Sequence, residues 1–316
     1  MLTLARALQD RGGAIVRFLC DRNPIAERIL ESERFHYAIR EPSASEEEFV
    51  DQATRPADLL IVDNKYDYAA DFVGALRRSR TIVFIDHCSP GAFAANLTIF
   101  PCAAVSSNLI EDPRWRDGRA GLLHGARYVL LGRRISDMAD RGCSKRKSGP
   151  IVLTTGARDP ERVLLTVLPW LARFRTDQRV VALFGDAFAD RAVLERLTPQ
   201  LPAHVRVVPF SQAQLAEAGV AVCTFGVTTY ELMFLGIPAL VIGHCRGNAE
   251  TSRILAERCR ATIDLGFIGD LTEERFLSLL SSLIDDKARR LEMSQLGAAQ
   301  IDGRGAERVA QAILAL

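Results

Sequence analysis

Residues 219–242 constrain what this chain can fold into more than any other stretch. Gly219 to Thr224 is a run of small and apolar residues of strand length, and Gly226 breaks it. Thr228 then opens a short helical pattern carrying Leu232, Phe234 and Leu235, which Gly236 and Pro238 stop before the apolar run 239–242. Two continuously apolar strands joined by a helix read as a βαβ unit of a parallel sheet, buried on both faces. At the glycine turn, the unpaired N–H groups of the helix start and the helix macrodipole together favour an anion. Glu231 lies one turn further on, on the same face as Thr228, placed to receive hydroxyl groups from whatever carries a phosphate. Thr228-x-x-Glu231 is equally a capping box, in which both residues satisfy orphan N–H groups and bind nothing else. Both readings stand on the local pattern.

The rest of the chain repeats the alternation. A helical pattern over 2–8 is ended by Gly12-Gly13 and followed by a strand over 14–19. This is the second half of a βαβ unit whose first strand the sequence does not contain. A helix over 24–32, a strand over 35–39, an acidic helix over 44–53 and a strand over 58–62 follow, the last running into Asp63-Asn64-Lys65-Tyr66. A helix over 68–77 leads to a strand over 81–85 that ends in Asp86-His87-Cys88, with late strands expected at 97–100 and 128–131. Polar residues rich in Arg, Lys and Ser mark 135–150 as a linker. A second series begins with a strand over 151–154 and the loop Thr155-Gly156-Ala157-Arg158-Asp159-Pro160. It continues with strands over 180–184 and 204–208, the 219–242 unit, Gly247-Asn248-Ala249-Glu250, a strand over 261–265 and three closing helices. The expected domains are therefore 1–134 and 151–316, both α/β, with ligands gathering at the carboxyl ends of strands.

Composition narrows the function classes. Forty Lys and Arg against thirty-nine Asp and Glu leave a net charge of +1 in 316 residues, which argues against a general electrostatic nucleic-acid binder. Seven scattered cysteines without C-x-x-C read as reduced thiols of a cytoplasmic protein. His87, His124 and His244 show no metal-ligand spacing, so neither a metal nor a cofactor is expected. No run of 18 apolar residues occurs, so no membrane span is expected. Asp63 and Asp86 read as carboxylates that organise the loops after their strands, and His87 as a loop histidine paired with Asp86. Cys223 has no base beside it in sequence, which argues against a nucleophile.

Two α/β domains with a glycine-turn, T-x-x-E helix in the second resemble the GT-B architecture of nucleotide-sugar enzymes, in which two Rossmann-like domains face each other across a cleft. More narrowly, the chain resembles the UDP-sugar hydrolases of the pseudaminic-acid pathway, relatives of the MurG-type glycosyltransferases. The resemblance runs in order through Leu2-Thr3-Leu4-Ala5, Ile61-Val62-Asp63, Phe84-Ile85-Asp86 and Gly125-Ala126-Arg127-Tyr128-Val129-Leu130-Leu131. It continues through Thr155 to Pro160, the 219–242 unit and Gly247 to Glu250.

The resemblance implies a hydrolase that releases UDP from a UDP-linked diacetamido-trideoxyhexose, supplying glycans for flagellin or the cell surface. It also implies two alternatives: a GT-B glycosyltransferase using a UDP-sugar donor, or a non-catalytic nucleotide-sugar-binding relative. Gly156, Gly226, Val227, Thr228 and Thr229 would hold the diphosphate, Glu231 the ribose hydroxyls and Phe210 the uracil. Asn248 would face the sugar, and Tyr66 would stand for the tyrosine of the family's Asp-x-Tyr, displaced by one residue. The family's Asn-Gln pair is here Asn248-Ala249. The family's opening strand and glycine loop, with its proposed base histidine, would fall before Met1. The oligomeric state is not legible.

Overall fold

The computed structural model describes residues 1–116, 120–138 and 149–316. The chain divides into two compact units, Met1–Leu130 with Arg304–Leu316, and Leu131–Gly303. Most of the expected linker, including Lys145-Arg146-Lys147, lies outside the described residues.

In the first unit every strand pair is parallel, but the strands form two sheets. β1 (Arg17–Asp21) pairs with β2 (His36–Arg40). β3 (Leu59–Val62), β4 (Thr81–Ile85), β5 (Leu97–Phe100) and β6 (Gly121–His124) follow in that order in the other sheet. The helix Leu2–Gly12 lies against both pieces. Its Leu4 and Leu8 pack with Val83, Ile85, Leu97 and Ile99 of β4 and β5. Its Ala5 packs with Leu30 and Phe35, together with Phe18 of β1 and the adjoining Val16. Gly13 ends the helix at φ +62°, a left-handed position that glycine takes without a Cβ clash. β4 and β5 are almost wholly buried, whereas β1 and most of β3 are only partly so.

Two sequence expectations change here. Residues 128–131 do not form a strand; the strand β6 at Gly121–His124 takes that place beside β5. The closing helix Gly305–Leu314, expected with the second domain, packs Val309, Ala310 and Ile313 onto the Leu4, Leu8 and β4–β5 core of the first. A Cβ at Gly305 would meet the Val129 carbonyl oxygen, so the helix start docks where only glycine fits. Its amphipathic stripe was legible in sequence, but the surface that would cover the stripe was not.

The second unit holds one continuous parallel sheet. Its strands are β7 (Ile151–Thr154), β8 (Val180–Phe184), β9 (Val205–Pro209), β10 (Val220–Thr224), β11 (Ala239–Gly243) and β12 (Thr262–Phe267), in the order β12-β11-β10-β7-β8-β9. β7, β10 and β11 are buried along their whole length, as their unbroken apolar sequences require. The chain winds outward from β7 to β9, then returns to β10 and winds the other way. The reversal lies between β7 and β10, where open α/β sheets form a crevice at the strands' carboxyl ends. One face is covered by Val163, Leu164, Val167, Leu168 and Leu171 of the helix Val163–Arg173, with Phe276, Leu280 and Leu283 of the helix Glu273–Asp285 in the same core. Each fully buried leucine of this kind contributes about 2 kcal/mol.

Candidate functional site at the reversal of the second sheet

The loop after β7 and the loop after β10 flank the reversal. In the first, Asp159 accepts from the Val163 and Leu164 N–H groups, both at 2.9 Å, and so caps the helix Val163–Arg173. Burial pushes the Asp159 carboxyl up, against these two bonds. Gly156 in the same loop takes φ +80°, and a Cβ there would meet nothing within 4 Å. In the second loop the helix Val227–Phe234 begins directly after Gly226. A Cβ at Gly226 would also meet nothing within 4 Å, so the space in front of this helix start is open.

The cap of that helix differs from the box read in sequence. Thr229 donates its N–H to the Gly226 carbonyl at 3.0 Å, and its hydroxyl accepts from the Gly226 N–H at 3.3 Å. Thr229 stands two positions before Glu231, where the T-x-x-E pair would have placed the reciprocal bond, because the N-cap is Gly226 rather than Thr228. Glu231 is thereby released from capping. It is 7% exposed, and burial raises its carboxyl, opposed by a hydrogen bond with Thr228. A buried carboxylate this sparsely bonded is costly for the apoprotein. Cys223 beneath it is fully enclosed, its thiol pushed up to about 12 by burial, which leaves no thiolate for nucleophilic chemistry.

The remaining sequence-predicted residues of this unit line the same end of the sheet. Phe210 follows β9 and donates its N–H to the Phe184 carbonyl at 2.8 Å. β9 and β10 are separated by β8 and β7, so the ends that carry Phe210 and Gly226 stand about 14 Å apart at ordinary strand spacing. Asn248 lies in the first turn of the helix Arg246–Cys259 after β11. Its Nδ2 is 3.3 Å from the Phe225 carbonyl and 3.3 Å from His244 Nδ1, and its Oδ1 accepts from Cys245 Sγ at 3.4 Å. A Cβ at Gly243 would run into the backbone of Ala249, so the helix start rests on the strand end where only glycine fits at 243. His244 was the group that the sequence reading passed over. Its signal was the His-x-x-x-Asn spacing directly after a buried strand.

Tyr66 belongs to the first unit. It is 41% exposed, its N–H donates to Asn64 Oδ1 at 3.1 Å, and its ring meets Tyr68 edge-on at 4.8 Å. Tyr68 in turn donates to Glu46 at 2.6 Å. His87 is not paired with Asp86. It is buried against Tyr68 and Phe84, accepts from the Ser89 N–H at 3.3 Å, and is pushed down by burial. Asp86 instead faces Lys65 at 3.9 Å. An aromatic pocket wins over an ion pair because the histidine ring points inward. Burial raises the Asp63 carboxyl, Asp86 adding to the effect and the amino terminus and Lys65 offsetting it. Among the described residues no cluster of His, Cys, Asp and Glu is arranged to hold a metal, and no helix is long and apolar enough to cross a membrane.

No family model matches the chain. The spore coat polysaccharide biosynthesis protein SpsG of Bacillus subtilis is 22% identical over 214 residues, which span 65% of this chain and 62% of that protein. Among solved structures, the calicheamicin glycosyltransferase CalG4 superposes with a TM-score of 0.64 at 16% identity, covering 99% of this chain and 93% of its own. The HepE protein of Anabaena in complex with UDP-glucose gives 0.61 at 15% identity, covering 99% and 94%. These likenesses show the fold, two Rossmann-like domains of the GT-B type.

Proposed function

We propose that the carboxyl ends of β7 to β11 bind a UDP-sugar and that the chain is a GT-B glycosyltransferase transferring the sugar to an acceptor. The observation that carries the reading is Glu231, a buried carboxylate freed from helix capping and one turn into a helix whose open N-terminus flanks the sheet reversal. Ribose hydroxyls would donate to that carboxylate, offsetting the cost of its burial. The helix N-terminus beside Gly226, Val227, Thr228 and Thr229 would take the diphosphate, with Gly156 opposite and Phe210 against the uracil. In transfer, charge grows on the departing UDP, and N–H donors already aimed at it stabilise that charge without reorganising. The likeness to a glycosyltransferase and to a UDP-glucose complex supports transfer ahead of hydrolysis of a UDP-linked diacetamido-trideoxyhexose.

The direct test is calorimetric titration of UDP into the wild type and Glu231→Gln. Binding at least several-fold weaker in the variant is expected, and equal affinity removes Glu231 from the site. Product analysis with UDP-sugars then separates the activities. UDP release that depends on an added acceptor is transfer, whereas free sugar released without one restores the hydrolase reading.

A further inference from the structure

Both amide hydrogens of Asn248 are engaged inside the protein. A carbonyl only accepts, so the atom 3.3 Å from the Phe225 oxygen must be the amide nitrogen, which fixes the orientation of the amide. The same nitrogen stands 3.3 Å from His244 Nδ1, so its second hydrogen points there and Nδ1 presents its lone pair. The amide oxygen is taken by the Cys245 thiol at 3.4 Å. A neutral imidazole that accepts at Nδ1 carries its hydrogen on Nε2. Among the described residues Nε2 has no hydrogen-bond partner, and it is not one of the buried polar atoms sealed from solvent. His244 thus sits partly buried at the end of β11, in a fixed tautomer, tied through one amide to the carbonyl that immediately precedes Gly226.

We propose that His244 is a ligand-contacting residue of this site, donating from Nε2–H to a diphosphate oxygen, and that Asn248 is a positioning residue acting through it. The inference rests on the nucleotide-sugar reading above. A phosphoryl oxygen is the fitting partner because Nε2–H donates only and a phosphoryl oxygen accepts only. The helix start beside Phe225 and Gly226 favours the same negative charge. Asn248, with both amide hydrogens engaged, has no donor left for a ligand oxygen, and its effect on the diphosphate passes through the imidazole.

The test is titration of UDP and of uridine into the wild type, His244→Ala, His244→Gln, Asn248→Ala and the His244→Ala, Asn248→Ala double variant, with ¹⁵N spectra of the histidine rings. UDP affinity should fall about tenfold in His244→Ala, the loss expected for one hydrogen bond to a charged group. Uridine affinity should stay unchanged, and the glutamine variant, which keeps an N–H donor, should recover part of the loss. The wild-type ring should report hydrogen on Nε2, and Asn248→Ala should mix the tautomers. The double variant should be no weaker than His244→Ala alone, since the two residues act as one device. UDP affinity within twofold of wild type in both single histidine variants overturns the proposal, as does a fully additive double variant. If UDP binding responds to Glu231→Gln but not to His244, this inference alone falls. If the wild type binds no UDP, the nucleotide reading falls and takes this one with it.

Discussion

The two sheets of this chain use the same parallel βα grammar and reach different degrees of closure. In the second unit six strands pair without interruption, and the three central ones are buried along their whole length. In the first unit the pairing divides into a β1–β2 sheet and a separate β3–β6 sheet, and the helix Leu2–Gly12 packs on both pieces without joining their backbones. Side-chain packing can therefore span a break that hydrogen bonding does not. The consequence is an uneven distribution of stability: a buried strand paired on both sides opens only with its whole unit, while a partly exposed strand with one partner opens alone. The rigid sheet is also the one whose strand ends carry the nucleotide candidates, as preorganised donors require.

The largest expected effect lies at the centre of the closed sheet. Leu153→Ala in β7 leaves a cavity under the reversal and should cost about 2–5 kcal/mol, against less than about 1 kcal/mol for Leu19→Ala in partly exposed β1. Urea unfolding measures both, and equal costs would erase the contrast between the sheets. Hydrogen exchange gives the same comparison without mutation: β1 and β2 amides should exchange well before those of β7 and β10. Next in size is Gly305→Ala, whose methyl group meets the Val129 carbonyl. It should cost about 1–3 kcal/mol, read as earlier melting of the first unit while the β7–β12 amides keep their protection. Loss of protection in the second unit instead would show that the closing helix stabilises the other sheet.

The smallest effect concerns Glu231 and is a matter of sign. Its carboxyl is raised by burial, so its contribution to folding is present below the ordinary carboxylate range and is lost as pH rises through the raised value. The ligand-free Glu231→Gln protein should accordingly gain melting temperature relative to wild type at pH 8, and gain less or nothing at pH 4. UDP should shrink or reverse the difference at pH 8, because the wild-type carboxylate then acquires hydroxyl donors. A pH-independent difference would mean that the carboxylate is already satisfied without ligand.

Much of the second unit was legible in the sequence because its strands are unbroken apolar runs and its turns are marked by glycine and proline. Ala239 to Gly243 is a strand by composition alone, and Gly226 marks a helix start by its place. The places of the candidate residues in the fold were legible to the same extent, since which residues stand at strand ends follows from the order of elements. What escaped were features fixed by a small shift of register or by the direction of a side chain. Helix capping passed from Glu231 to Thr229 because the helix begins at Val227, and His87 turned from Asp86 toward Tyr68 and Phe84.

By itself the sequence determined the alternation of strand and helix, the parallel α/β class and the glycine turn with its acidic residue one turn later. These follow from periodicity and backbone preference, which are local. Tertiary structure alone decided the strand order, the division of the first sheet, and the return of helix Gly305–Leu314 to the first unit. It also decided that Asn248 holds His244 rather than standing free. Each of these depends on which distant surfaces meet, and a contact such as Val129 on Gly305 leaves no periodic mark in either segment.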